Sequence, residues 1–433
     1  MPTLFTVEEL ASFAKTFALS SYKPSTKEEL NRIVAYYLNK KHDITIYEKN
    51  NYIGGHVNTV DVQEESKIIP VDTGFIVFND KTYPSFISLL DEIGQKYHNS
   101  VMSFSVTNKK KNIEYNGSSI NGLFSQRRNI FSLSFQRMIR DIIRFNKNKN
   151  NPLSMLESIS LKQFLIEGGY SNEFTYDYLI PMASSIWSAE QGKILEMPIK
   201  FLINFFNNHG LLQLKDRPQW MVISGGSKEY IKKLSHPFKD RIKLNSRIEC
   251  IERNYDGVVV KSRDHSAVKY DYIFIATHSD QAIQMLGDIS NSEQEVLSAI
   301  KYQINTAVLH TDKSAMPSRE RAWAAWNYRQ NESDSSSVNV TYSMNILQAL
   351  DSEIQYFVTL NNTDQINPRK IIRTIKYEHP IFDENAIKAQ ARHEEINKDP
   401  NRTFFCGAYW SNGFHEDGVV SAKNALTHFE GGL

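Results

Sequence analysis

The chain has 433 residues, 41% apolar and 23% charged, the balance of an ordinary soluble globular protein and too long for one typical domain. Lys and Arg number 50 against 49 Asp and Glu, and the formal net charge of +1 excludes an overall electrostatic footprint for nucleic acid. Cys250 and Cys406 are too few for a disulfide framework or a thiolate metal site, so a reducing cytoplasmic setting is expected.

In chain order, residues 4–16 have the pattern of an amphipathic helix. Residues 27–40 put Leu30, Ile33, Val34, Tyr37 and Leu38 on one helical face, with Thr26 as cap and Glu29 completing a capping box. A strand over 44–47 ends on Glu48 and runs into the pair Gly54-Gly55 and His56. Extended segments over 56–62 and 68–72 follow, closing on Asp72, Gly74 and Phe75. Residues 83–214 read as mostly helical, with a polar break at 146–152. Strands return at 221–223, before Ser224-Gly225-Gly226-Ser227, and at 242–252 and 258–262. The apolar run 270–276 has the look of a strand buried on both faces of a parallel sheet, and helix begins at Gln281. Further strands are expected at 302–312 and 337–361, with a polar turn at 333–337. A last strand over 402–407 passes through Gly407 to Gly418 and into a helix from Val419.

No apolar run approaches the roughly 20 residues that span a bilayer, and the N-terminus lacks a secretory pattern. Positive charge does gather between residues 109 and 149, in Lys109-Lys110-Lys111, Arg127-Arg128 and the run from Arg137 to Lys149. Such a stretch is either a solvated face or a surface for anionic head groups, so at most a peripheral membrane contact is expected.

An acid at the end of a strand followed by a glycine pair is half of a dinucleotide site: the acid for a ribose, the glycines for close approach to a diphosphate. Gly407 to Gly418 offers a strand, a glycine turn and a helix start, suited to an anion or an electron-rich ring oxygen. Tyr409, Trp410 and Phe414 would give flat surface against a flat ring or pack as ordinary core. Adjacent His415, Glu416 and Asp417 cannot converge on one atom, so a helix cap with Asp417 is their expected job. His278 follows a buried strand, where sheet ligands commonly bind. His209 reads as a turn residue. No metal spacing, nucleophile elbow or P-loop is present.

These blocks, with Tyr178-Leu-Ile-Pro-Met-Ala-Ser-Ser-Ile-Trp187, Asn208-His-Gly-Leu-Leu and Trp323-Ala-Ala-Trp326, resemble the flavin-containing amine-oxidase superfamily. Within it they look like the branch of bacterial FAD-dependent oxidoreductases similar to the N-terminal region of plant cyclopropane fatty-acid synthases. The resemblance runs from about residue 28 to the C-terminus. It implies an α/β fold with a discontinuous glutathione-reductase-like FAD-binding domain (28–82, 215–290 and 395–433) and an α+β substrate domain (83–214 and 291–394). By position, Glu48 would bind the adenosine ribose, Gly54, Gly55 and His56 the diphosphate, and Ile248 the adenine, with Thr277 and Gly407 also beside the cofactor. Gly74 and Phe75 would approach the flavin ring. Gly413, Phe414, His415, Glu416, Asp417, Gly418 and Val419 would meet the ring and ribityl chain, with Phe414 on the substrate face.

The implied function is FAD-dependent oxidation, with an acyl chain or lipid as the favoured substrate. An amine or polyamine is the alternative, and a cofactor-free binding protein the competing class. Two departures stand out. Many relatives carry glycine-arginine where this chain has Gly55-His56. Relatives also begin with a strand and a G-x-G-x-x-G turn, whereas residues 1–43 contain no glycine and 1–27 form an atypical segment. Glu28 and Glu29 would place negative charge where phosphates should sit. A remodelled first turn, a cofactor-free descendant and an altered reading frame or start each explain this.

Overall fold

A computed structural model describes residues 28–147, 159–209, 211–212, 218–263, 265–330, 339–397 and 402–431. The helix expected at 4–16, the Thr26 cap, residues 148–152 of the polar break and the turn at 333–337 lie outside the described residues.

The chain enters through helix α1 (Glu28–Leu38), where Ile33 and Val34 of the expected face are buried, Tyr37 and Leu38 are half-buried, and Ala35, outside that face, is buried as well. Strand β1 (Ile46–Tyr47) follows, then an antiparallel hairpin of β2 (Thr59–Gln63) and β3 (Ile68–Asp72), and the short β4 (Phe78–Asn79). Helix α2 (Pro84–Glu92) leads to β5 (Tyr97–Asn99), β6 (Phe104–Asn108) and β7 (Ile113–Asn116). These three strands lie inside the stretch expected to be mostly helical. All five β6 positions are buried, polar Ser105, Thr107 and Asn108 among them, so the strand carries no inside-outside alternation to read.

Helices α3 (Leu133–Lys147), α4 (Ile180–Trp187) and α5 (Ile199–Asn208) precede β8 (Trp220–Ile223) and α6 (Lys228–Ser235). Next come β9 (Ile242–Lys243), then β10 (Ile248–Asn254), β11 (Gly257–Ser262) and β12 (His265–Tyr270), which form an antiparallel meander. Strand β13 (Ile273–Ile275) passes into α7 (Ser279–Met285). Strands β14 (Lys301–His310), β15 (Trp326–Gln330), β16 (Val340–Ser343), β17 (Phe357–Leu360) and β18 (Ile371–Ile381) follow, then β19 (Thr403–Phe405) and α8 (His415–Gly431).

The largest sheet has seven strands in the order β18-β14-β17-β16-β15-β6-β7, antiparallel throughout except where β6 runs parallel to β15. It joins residues 104–116 to residues 301–381 across more than 180 positions of sequence. The nucleotide-like part holds two separate parallel pairs, β1 with β9 and β13 with β19. Between the pairs runs an apolar groove of about 580 Å3, walled by residues 44–47 on one side and 270–277 on the other. Tyr272, Ile273 and Phe274 are therefore half-buried, and the expected burial on both faces is reached only at Ile275 and Ala276. Tyr47 and Tyr270 approach across the groove, their hydroxyls 2.7 Å apart.

Among the described residues no helix is long and apolar enough to cross a membrane.

Candidate functional site

Glu48 directly follows strand β1 and Thr277 lies just beyond β13, so two distant segments present their carboxyl ends side by side, the usual place for a ligand of a parallel sheet. Glu48, Thr277 and Ile248 line one cleft of about 500 Å3, together with Ser246, Gln281 and Met285. The Glu48 carboxylate is buried and accepts from the Asn50 N–H at 2.8 Å. Arg32 of α1, equally buried, lies 3.5 Å from its other oxygen. Sequence reasoning missed Arg32. Its only signal is a cation directly before the apolar run Ile33-Val34-Ala35 of α1, in the helix that leads to a strand closing on an acid.

A second group forms around the hairpin. Gly54 (φ 132°) and Gly55 (φ 58°) turn the chain, and the Val57 N–H donates to the Gly54 carbonyl at 2.8 Å. The His56 carbonyl accepts from the Phe75 N–H at 2.7 Å. A Cβ on Gly74 would stand 1.9 Å from that same carbonyl oxygen, so glycine is required for the two segments to cross. The His56 ring rests against Tyr377 and His379 of β18, at 4.4 and 5.4 Å between centroids, which ties the hairpin to the large sheet. Phe75 stacks on His415 at 3.9 Å, and His415 Nε2 lies 2.8 Å from the Tyr230 hydroxyl.

Helix α8 starts at His415, four residues before the expected Val419, and this gives the three polar residues separate jobs. Asp417 accepts from the Phe414 N–H at 2.7 Å, one half of a capping box. Glu416 reaches across to α2 and accepts from the Ser85 and Phe86 N–H groups at 2.9 and 2.8 Å, capping that helix. Burial pushes the Asp417 carboxyl up to about 7. Gly407 donates its N–H to Ser421 Oγ at 3.0 Å, while Gly413 turns with φ 89°. Gly418 donates to the Phe414 carbonyl, and Val419 is fully buried.

Phe414 stacks on Phe205 of α5 at 4.8 Å, and His209 lies 3.9 Å from Phe205 and 5.1 Å from Phe414. Trp187, at the end of α4, adds a further ring 4.8 Å from Phe205. His209 is therefore more than a turn residue: it ends α5, is buried, and has Nδ1 3.0 Å from the Phe205 carbonyl oxygen. Desolvation lowers its pKa to about 4, which leaves the ring neutral near pH 7. Tyr409 and Trp410 do not join this stack; they pack on each other at 4.9 Å in a separate core cluster. His278 stands at the N-cap position of α7, stacks on Tyr302 at 4.0 Å and lies 3.2 Å from Glu378. Among the described residues no group of His, Cys, Asp and Glu could hold a metal ion.

An acid-ended strand beside a cleft, a glycine crossing and a helix start carrying an aromatic thus occur in one chain. Residues 33–425 match the family of flavin containing amine oxidoreductases. The chain belongs to that family. Its cofactor is a flavin, FAD.

Solved structures of similar fold include cyclohexylamine oxidase from Brevibacterium oxydans IH-35A, 15% identical, covering 95% of this chain and 99% of that one at a TM-score of 0.63. A fatty acid isomerase from P. acnes that produces CLA is 14% identical, covering 95% of this chain and 100% of that one at a TM-score of 0.65. Putrescine oxidase bound to putrescine is 13% identical, with 95% and 100% covered and a TM-score of 0.63. A comparison with curated protein sequences gives no match. The cleft combines an acid, a threonine and the aliphatic faces of Ile248 and Met285, residue types that suit an adenosine.

Proposed function

We propose that this family member is an FAD-dependent oxidoreductase acting on an acyl chain or another lipid. The observation that carries the substrate class is the stack of Phe414, Phe205, His209 and Trp187, which is aromatic and uncharged at neutral pH. Rings of this kind suit a long apolar substrate, which gains about 0.8 kcal/mol for each CH2 it buries.

In this reading the fold is glutathione-reductase-like with an α+β substrate domain. Glu48 holds the adenosine ribose, with Ile248 and Thr277 beside it, and Gly54, Gly55 and His56 lie along the diphosphate. Gly74, Phe75 and the turn from Gly407 through Gly413 to Val419 support the ring. FAD when bound supplies the hydride acceptor. The chain's own residues bind and orient the cofactor and substrate.

A lipid substrate is matched by a surface. Phe131 and Leu133 are 82% and 67% exposed, and they stand beside exposed Arg127 and Arg128 and the arginines of α3. Apolar side chains ringed by cations suit peripheral contact with an anionic membrane.

The second reading is oxidation of an amine or polyamine. The family's description favours it, and aromatic faces also attract an ammonium group.

The test is anaerobic bleaching of the bound flavin in the purified full chain. Bleaching by a long-chain fatty acid, with none by putrescine, supports the lipid reading. Bleaching by putrescine alone replaces it with the amine reading. A colourless chain that takes up no added FAD overturns both.

A further inference from the structure

We propose that the indole N–H groups of Trp187 and Trp326 form an acceptor site at the far end of the Phe414 stack, and that they hold the carbonyl oxygen of an acyl chain. The inference rests on the lipid reading and names the atom by which the lipid is gripped.

One helix face meets one sheet face here. Ser184, Trp187 and Ser188 stand at i, i+3 and i+4, so they share a side of α4 at its end. Ser185 is turned elsewhere, its hydroxyl donating to the Pro181 carbonyl at 2.6 Å. Trp326 and Tyr342 are direct cross-strand partners in β15 and β16, so they share a face of the large sheet, and their rings meet edge to face at 4.6 Å. Helix α4 packs on β15, and the Tyr342 hydroxyl meets that of Ser188. Gln303 of β14 donates to the Ser188 carbonyl at 3.4 Å. Ser188 itself has φ 49°, a left-handed backbone that residues with a side chain adopt rarely and that gathers at ligand sites.

All five side chains are at most 2% exposed. Yet the Nε1 atoms of Trp187 and Trp326 and the Ser184 Oγ have no hydrogen-bond partner among the described residues. Buried donors in folded proteins are paired, and one left unpaired costs stability. An indole N–H can only donate, so the group that completes the site is an acceptor. An ammonium ion brings further donors and would find only hydroxyl oxygens to receive them. A carbonyl oxygen has two lone pairs to offer, and in the lipid reading it is the acceptor that an acyl chain carries. Trp187 ties the site to the stack, since its ring lies 4.8 Å from Phe205, which stacks on Phe414. A chain lying along those rings would end, at its carbonyl, beside the two indoles.

The experiment is NMR of the five tryptophan indole N–H groups in the FAD-loaded full chain, with binding measured in parallel by calorimetry. The probes are palmitate, methyl palmitate, hexadecane and hexadecylamine, each delivered in the same neutral micelles. Palmitate or methyl palmitate should move the Trp187 and Trp326 signals downfield while Trp220, Trp323 and Trp410 stay in place, and the two arms distinguish a free acid from an ester as the source. Hexadecane, which has no acceptor, should shift neither signal downfield. In W187F/W326F the affinity for the acyl probe should fall about 10-fold while that for hexadecane is unchanged. The spectra of the unaltered chain do not depend on how the variant folds. An acyl probe that binds with both signals unmoved overturns the assignment alone, by giving the N–H groups to internal water or to the flavin. Equal downfield shifts with hexadecylamine overturn it too. Failure of both acyl probes to bind at all overturns the lipid reading and the assignment with it.

Discussion

Arg32 and Glu48 meet 3.5 Å apart with side chains only 1% and 3% exposed, so the acid at the head of the cleft is held by a buried cation from α1. Removing the cation takes a buried ion pair from the carboxylate. Arg32→Met is therefore expected to destabilise the chain by about 3–5 kcal/mol, read from the midpoint of urea unfolding. The double variant R32M/E48Q should recover much of that loss. If it is no more stable than R32M alone, the two charges are not energetically coupled.

The same acid has a second expected effect. A hydrogen bond from a ribose hydroxyl to a carboxylate is worth about 1.5–3 kcal/mol, so Glu48→Gln should weaken FAD binding roughly 10- to 100-fold. Fluorescence titration of the apoprotein with FAD measures this directly. An unchanged affinity would remove Glu48 from the cofactor site.

Glu48 is legible before folding because it closes a strand pattern, whereas Ile248 and Thr277 are placed only by the family resemblance; the structure gathers all three into one cleft. Asp72 shows what local pattern leaves out. It accepts from the Ser227 N–H at 2.9 Å and the Thr59 hydroxyl at 2.6 Å, joining the hairpin to the Ser-Gly-Gly-Ser turn. Nothing near Asp72 in sequence announces a partner 155 positions away. β6 and β7 escape for a related reason: they are buried within a mixed sheet whose other members come two hundred residues later. His209 reads as a loop residue because its neighbours are Asn208 and Gly210, while its stacking on Phe205 is a matter of helical spacing one turn earlier.

Asp417 gives stability a pH dependence of known sign. Burial raises its carboxyl from 3.8 to about 7 in the folded chain. Below pH 4 the group is protonated in both states. Between pH 4 and 7 the unfolded chain releases the proton first, so stability falls as pH rises, by about 1.4 kcal/mol per unit at most from this group. Asp417→Asn keeps an acceptor for the Phe414 N–H and removes the titration. Thermal melts of the variant should show a shallower decline over that window and a higher Tm than the parent at pH 8. A variant whose melts parallel the parent's from pH 4 to 8 would show that Asp417 ionises freely.

Phe131 and Leu133 test the membrane contact, because their exposure costs the folded chain nothing that a charge there would add to. In cosedimentation, the full chain should bind vesicles rich in phosphatidylserine and release from them as salt is raised, since screening shortens the reach of the arginines to about 8 Å at physiological ionic strength. F131D/L133D should lose at least ~10-fold in vesicle affinity, the equivalent of about 1.4 kcal/mol, through lost apolar insertion and added repulsion. Its melting temperature and flavin content should match the parent's, because neither side chain packs in the core. Equal binding to neutral and anionic vesicles would remove the electrostatic part of the contact. Equal binding by F131D/L133D would remove the two apolar residues from it.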